Sequence, residues 1–224
     1  MKVALVGRGK MGRAVGQLAA ERGWEVTCLC GSDRPLDQSN IERADVVIEF
    51  THPDAAVGNI EQLLSWRKDL VVGTTGWIDQ LEHVKQLVDA AGCGFLYGPN
   101  FSVGMNLLYR LCEEAGALFA RYEFAPFIFE THHQAKKDAP SGTAHEMEAR
   151  VRGAGIKKEI AVSSLRAGSF PGTHILGFDG RFETITLKHE VRDRRVFAEG
   201  ALLAAEWIRG KKGVYTFSDI LGGR

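Results

Sequence analysis

Apolar residues fall in short runs separated by amphipathic stretches. Val3 to Val6 is an apolar run that ends in glycines, Arg13 to Arg22 carries apolar residues at helical spacing, and Val26 to Cys30 is a second run. This succession predicts a βαβ unit. The alternation continues with a strand from Asp45 to Phe50, a helix around Ala55 to Ser65, a strand at Leu70 to Val72, a helix from Ile78 to Ala91 and a strand from Gly94 to Tyr97. Strands that alternate with helices predict an α/β fold, a Rossmann-like doubly wound parallel sheet.

The texture changes after Gly98-Pro99-Asn100-Phe101. A helical stretch, Val103 to Phe119, precedes a strand-like segment from Phe124 to Glu130, and Ala161 to Leu187 alternates in strand fashion with breaks at Gly168, Pro171-Gly172 and Asp179-Gly180. This pattern predicts a second, α+β domain with a mixed sheet. The expected division is a dinucleotide-binding domain over residues 1–101, a substrate-binding and oligomerisation domain over 102–193, and a tail, 194–224, that returns to the first domain through a helix at Ala198 to Arg209.

Composition narrows the classes of partner. The 224 residues carry 28 Lys+Arg against 28 Asp+Glu, so no global field draws the chain to nucleic acid or to an anionic membrane. No apolar run reaches the roughly 18 residues of a membrane span, and the N-terminus lacks the long apolar stretch of a signal peptide. Cys28, Cys30, Cys93 and Cys112 show no zinc-ligand spacing. No metal is expected, and the thiols read as buried and reduced in a cytoplasmic protein.

Gly7-Arg8-Gly9-Lys10-Met11-Gly12 is a GxGxxG loop between a strand and a helix. Glycines there let the backbone approach a pyrophosphate, and the helix N-terminus offers free N–H groups. Asp33 follows about twenty residues beyond Gly12, where an acid binds the ribose diol of NADH. Arg34 beside it would pair with the 2′-phosphate of NADPH, or is a solvated loop charge; use of both cofactors is expected. Phe50-Thr51 and Gly73-Thr74-Thr75-Gly76 stand where strands of such a sheet deliver ligands.

The segment from Glu130 to Ala144, ETHHQAKKDAPSGTA, is the most informative in the chain. His132, His133 and Lys136 form a cationic corner at the end of a strand. Ser141-Gly142-Thr143 opens a helix whose apolar spacing is Ala144, Met147, Val151, and such an N-terminus suits an anion. The pair would hold a substrate bearing carboxylates. If the strand persists through both histidines, their side chains point to opposite faces.

This segment resembles the HHxxKxDAPSGTA signature of the dihydrodipicolinate reductase family. The resemblance runs along the chain, through the glycine loop, Phe50-Thr51, Val72 to Gly76, Asn100 to Gly104, and Arg194 with Phe197 to Ala201. It implies NADH- or NADPH-dependent reduction of a small cyclic dicarboxylate, the precursor of tetrahydrodipicolinate in diaminopimelate and lysine biosynthesis, by a homotetramer. Carried over by position, His132 is the proton donor and Lys136 the second catalytic group. His133, Ser141, Gly142, Thr143 and Arg194 bind substrate. Gly73 to Thr75 and Gly98, Pro99, Asn100 and Phe101 contact the cofactor, Asp33 the NAD ribose and Arg34 the NADP phosphate. The glycine loop is one residue shorter than the family's GxxGxxG form. Two other readings start from the same glycine loop: an aspartate or homoserine dehydrogenase, and a dinucleotide-sensing protein without turnover.

Overall fold

The computed structural model describes residues 1–222. Chain contacts divide the protein into one unit formed by Met1–Ser102 with 195–222, and a second formed by Val103–Arg194. In the first, β1 (Lys2–Val6) runs through the glycine loop into α1 (Lys10–Glu21), followed by β2 (Glu25–Cys30), a single-turn α2 (Gln38–Ile41), β3 (Val46–Glu49), α3 (Pro53–Ser65) and β4 (Asp69–Val72). A 3-10 turn, Ile78–Gln80, then leads into α4 (Leu81–Ala91) and β5 (Gly94–Tyr97). The second unit contains α5 (Val103–Phe119), β6 (Ala125–His132), α6 (Gly142–Gly153), β7 (Ala161–Arg166), β8 (Thr173–Asp179) and β9 (Thr184–Glu190). The chain re-enters the first unit as α7 (Arg195–Ile208), β10 (Gly213–Thr216) and α8 (Phe217–Ile220).

The first unit is built on a six-stranded sheet in the order β10-β5-β4-β3-β1-β2, with every pairing parallel. Val3 to Val6 and Val46 to Glu49 are buried throughout, as central strands covered on both faces must be. On one face α2, α3 and α4 pack Ile41, Ile60, Leu63, Val84 and Val88 against Val6, Val47, Leu70 and Phe95. On the other, α1 packs against α7, which crosses β3, β4 and β5. The fully buried Ala19, Ala198, Ala201 and Ala205 keep those two helices close.

Two features of this unit differ from the sequence reading. Helix α1 starts at Lys10, because the turn after Gly9 already adopts helical geometry and takes Met11 and Gly12 into the helix. The tail is more than a helix: β10 pairs with β5, Val214 opposite Phe95 and Tyr215 opposite Leu96. A four-residue strand has too few positions to show a period.

The second unit is a mixed sheet in the order β7-β6-β8-β9, in which β6 and β7 are parallel and the other pairs antiparallel. Helices α5 and α6 cover one face, packing Met105, Leu108, Cys112, Met147 and Val151 against Ile128, Leu176 and Phe178. The rings of Phe119 and Phe178 stack at 4.1 Å. Cys28, Cys30, Cys93 and Cys112 are buried free thiols.

Candidate active site

In the first unit the glycine loop brings backbone where side chains cannot go. Gly7 adopts φ +114°, and a Cβ there would overlap the carbonyl of Phe50; a Cβ on Gly12 would overlap the carbonyl of Gly7. Among the described residues, no side chain caps α1 at Gly9 and its first turn holds no acid, so its N–H groups present an uncompensated positive end. Beside it lies a cavity of about 780 Å³ whose lining includes Gly7, Arg8, Gly9, Asp33, Phe50 and Thr51. Size, bare backbone and open helix end fit a dinucleotide.

Asp33 meets the guanidinium of Arg8, and that hydrogen bond holds its carboxyl below the usual range. The stem of Arg8 lies over Gly31, where a Cβ would come within 2.8 Å of Arg8 Cδ. The Arg34 backbone closes a tight bridge with Gly31 (N–H to O 3.0 Å, and 2.8 Å in return), and its exposed side chain is not part of the cavity lining.

The loops after β3 and β4 are tied together. The Thr51 N–H donates to Thr74 Oγ1 at 2.7 Å and to Glu49 Oε1 at 3.0 Å, and the Thr51 hydroxyl also bonds Glu49. Glu49 is completely buried, and burial pushes its carboxyl up against the opposing pull of the Thr51 and Thr74 hydrogen bonds. The ring of Phe50 fills the space a Gly73 side chain would need. A second cavity of about 230 Å³ is lined by Thr74, Thr75, Gly76, Tyr97, Gly98 and Pro99. Asn100 accepts a hydrogen bond from the Ser102 N–H at 2.9 Å, and buried Phe101 meets Phe50 edge-on at 5.8 Å. Lys10 is exposed and Met11 half-buried in the first turn of α1.

In the second unit β6 ends at His132, so His133 lies just past the strand, half-buried, while His132 is buried. His132 Nδ1 is hydrogen-bonded to Glu130 Oε2. Glu130 is completely buried and also receives Arg166, Nη2 at 2.6 Å and Nη1 at 3.0 Å, and the Ser141 N–H at 3.2 Å. Burial alone would raise its carboxyl, but the hydrogen bonds from Arg166, Ser164 and His132 hold it at about 2. For His132, burial outweighs Glu130 and lowers the imidazole from its ordinary value. His174, on β8, is held down to about 3 by burial and the nearby His132. Its ring stands 5.0 Å from that of His132, and its Nε2 lies 3.3 Å from Ser141 Oγ.

Ser141 caps α6, its Oγ accepting from the Ala144 N–H at 3.2 Å, while Gly142 is exposed and Thr143 half-buried beside it. Lys136 pairs with Asp138 at 2.7 Å. Arg194 is exposed in the segment between β9 and α7, outside this hydrogen-bonded cluster. Ligand atoms of Glu130, His132 and His174 lie within 4.8 Å of one another, but Arg166 already places a cation on both oxygens of Glu130. The cluster is thus a buried hydrogen-bonded network that joins two histidines, a carboxylate, a guanidinium and the N-cap of α6. Sequence reasoning assigned no part to Glu130, Arg166, His174 or Glu49. Glu130 was within reach, because residues two apart on a strand share a face; Arg166 and His174 arrive from other strands.

Comparison with known proteins gives the same picture for both units. The family model described as "Dihydrodipicolinate reductase, N-terminus" matches residues 1–101, and the one described as "Dihydrodipicolinate reductase, C-terminus" matches residues 104–221. A 4-hydroxy-tetrahydrodipicolinate reductase of Christiangramia forsetii is 30% identical over 99% of this chain and 98% of its own. One from Aquifex aeolicus is 40% identical over 80% of this chain and 73% of its own. Among solved structures, a dihydrodipicolinate reductase from Paenisporosarcina sp. TG-14, with dipicolinate bound, superposes with a TM-score of 0.82 at 24% identity, covering 98% of this chain and 99% of that one.

Proposed function

The chain belongs to the dihydrodipicolinate reductase family, and on that premise we propose that it reduces 4-hydroxy-tetrahydrodipicolinate, a small cyclic dicarboxylate, to tetrahydrodipicolinate in diaminopimelate and lysine biosynthesis. It is an NAD(P)H-dependent oxidoreductase whose first unit is the dinucleotide-binding one. The bound cofactor supplies a hydride from nicotinamide C4. The observation that carries the reading is the joining of a proton-handling histidine to a capped helix N-terminus: Glu130 hydrogen-bonds both His132 and the N–H of Ser141.

Gly7, Gly9 and the open end of α1 receive the pyrophosphate, Asp33 and Arg8 meet the adenosine ribose, and the loops at Phe50-Thr51, Gly73 to Thr75 and Gly98 to Phe101 hold the nicotinamide half. Ser141, Gly142 and Thr143 offer N–H and hydroxyl donors to one substrate carboxylate. Lys136 and His133 supply positive or donor groups to the other, and Arg194 adds a cation. His132 delivers the proton that completes the reduction, and an imidazole suits that task because its ordinary pKa is close to neutrality. What supports the dicarboxylate is the donor set at the α6 N-terminus, together with the dipicolinate held by the Paenisporosarcina enzyme.

The same reading makes the protein a homotetramer in the cytoplasm, assembled through the second unit. The support is the sheet face opposite Ile128, Leu176 and Phe178, where Phe127, Phe129 and Ile175 are half-buried and Leu165 is 46% exposed. Light scattering that gives a monomer of 24.6 kDa overturns the assembly. Among the described residues, no helix is long and apolar enough to cross a membrane.

Oxidation of NADH or NADPH, followed with freshly generated 4-hydroxy-tetrahydrodipicolinate, tests the activity. Turnover with aspartate semialdehyde or oxaloacetate plus ammonia instead would assign one of the other dehydrogenase reactions. Cofactor binding without turnover would assign a sensor.

A further inference from the structure

Strand β6 sets Glu130 and His132 on one face, and the strand register supplies their neighbours: Glu130 lies opposite Ser164 on β7 and His174 on β8, and His132 lies opposite Arg166. A fully buried carboxylate is costly unless its oxygens are filled. Here they are filled by the Arg166 fork, the Ser141 N–H, Ser164 and His132 Nδ1. Arg166 is itself fixed, since Nη2 also donates to the Asp138 carbonyl at 2.6 Å and Nη1 to the Leu165 carbonyl at 2.9 Å.

We propose that Glu130, anchored by Arg166, is the positioning residue of the proton donor: it fixes a proton on His132 Nδ1 and leaves Nε2 as the atom that exchanges protons with substrate. The inference rests on the reductase reading, in which His132 is that donor. An ionised carboxylate only accepts hydrogen bonds, so the nitrogen that faces Glu130 must carry hydrogen. The neutral ring is therefore the Nδ1–H tautomer, and protonation takes place at Nε2. That nitrogen points toward Gly172, where a Cβ would come within 3.0 Å of it. Glycine at φ +150° spares Nε2 the side-chain carbon that any other residue would set against it.

The charges around the ring define what Glu130 does beyond holding it. Glu130 faces His132 from β6, Arg166 from β7, His174 from β8 and Lys136 from the following loop, with His189 of β9 acting on His174. With Arg166 already paired to Glu130, a neutral His132 leaves the carboxylate and guanidinium balanced. An imidazolium adds one positive charge that Glu130 alone stabilises, against burial, Lys136 and Arg166. Removing the Glu130 charge must make His132 harder to protonate and free its tautomer. A part that only supported the fold would change neither.

The test combines two readouts on the full-length protein. Nitrogen-15 NMR of the imidazoles, without cofactor or substrate, is expected to find His132 as the Nδ1–H tautomer. An Nε2–H tautomer in the parent protein overturns the proposal without any variant. In Glu130→Gln, the limb on which kcat falls as the donor deprotonates should move by a pH unit or more to lower pH. Its kcat should drop roughly tenfold or more while KM values change less. Arg166→Lys, which keeps the cation, should retain the tautomer and most of the pH profile. An unmoved limb and unchanged tautomer in Glu130→Gln overturn the proposal. A parent protein that shows the Nδ1–H tautomer but reduces nothing overturns the reductase reading and leaves the positioning geometry standing.

Discussion

The guanidinium of Arg8, in the glycine loop, hydrogen-bonds the carboxylate of Asp33 at the end of β2. The acid that would repel a 2′-phosphate is thereby paired with a cation, and in the proposed cofactor site that cation would attract the phosphate. Arg8→Ala is expected to raise KM for NADPH roughly tenfold, as loss of a charged hydrogen bond does, and to leave KM for NADH within a few-fold. Arg34→Ala should leave both cofactors nearly unaffected, because the exposed Arg34 side chain is not part of the cavity lining. Paired KM measurements decide; a selective loss of NADPH in Arg34→Ala, absent in Arg8→Ala, would assign the phosphate to Arg34.

Glu49 gives a pH-dependent expectation whose sign follows from its environment. Burial raises its carboxyl in the folded protein, so the folded state holds the proton to higher pH than the unfolded chain. The stability this contributes is complete below the unfolded value near 4.5 and is lost as pH rises through the folded one. Glu49→Gln keeps the shape and cannot ionise. The variant should match the parent near pH 4 and exceed it at pH 8, the gap widening by up to about 1.4 kcal/mol per pH unit in between. Urea unfolding at the two pH values measures this, and a gap of the opposite sign would mean that Glu49 is ionised in the folded protein.

The second unit should lose stability in acid. His174 is held to about 3 and His132 below its ordinary 6.5, so between those limits the unfolded chain binds protons that the folded one refuses. Their contribution is present above about pH 6.5 and falls as pH drops; Glu130, at about 2 against 4.5, adds to the loss only below 4.5. His174→Gln should flatten the slope between pH 6.5 and 4.5 by close to one proton. Undiminished slope in that variant would show that His174 is charged in the folded state.

His132→Ala should lower kcat by roughly 100-fold or more with little change in KM, since a proton donor acts in the transition state. His133→Ala should act mainly on KM for the dicarboxylate. Steady-state kinetics that exchange these two effects would exchange the two roles.

Ser141→Ala removes the side-chain cap of α6 and should cost about 1 kcal/mol of stability. It should also raise KM for substrate, because the N-terminal turn it steadies carries Gly142 and Thr143. A thermal unfolding scan and a substrate titration separate the two, and an unchanged KM would restrict Ser141 to capping.

The parallel sheet was legible because Val3–Val6, Val46–Ile48 and Leu70–Val72 are continuous apolar runs, as strands covered on both faces must be. Helix α5 was legible end to end from its spacing, Met105, Leu108, Cys112, Ala115. What escaped is what long-range pairing makes. β10 is a strand only because β5 offers an edge, and Arg166 matters only because β7 aligns it with His132. The same holds at the cofactor loop, where neighbouring positions gave Asp33 and Arg34 as the opposed pair. The partner that Asp33 actually hydrogen-bonds is Arg8, which comes from a different loop and so has no signal in the neighbouring sequence.

The insertion of residues 103–194 between β5 and α7 governs the order in which the first unit can be completed. A ribosome that has released Tyr97 has made five of the six strands, yet the edge of β5 stays open until Gly213–Thr216 emerges. The sheet face that receives Ala198, Ala201 and Ala205 is bare for as long. The closure joins segments more than a hundred residues apart, which costs loop entropy and raises contact order. During synthesis the second unit can therefore fold before the first is finished, and a fragment ending near Ser102 should be captured by chaperones or aggregate through that open edge.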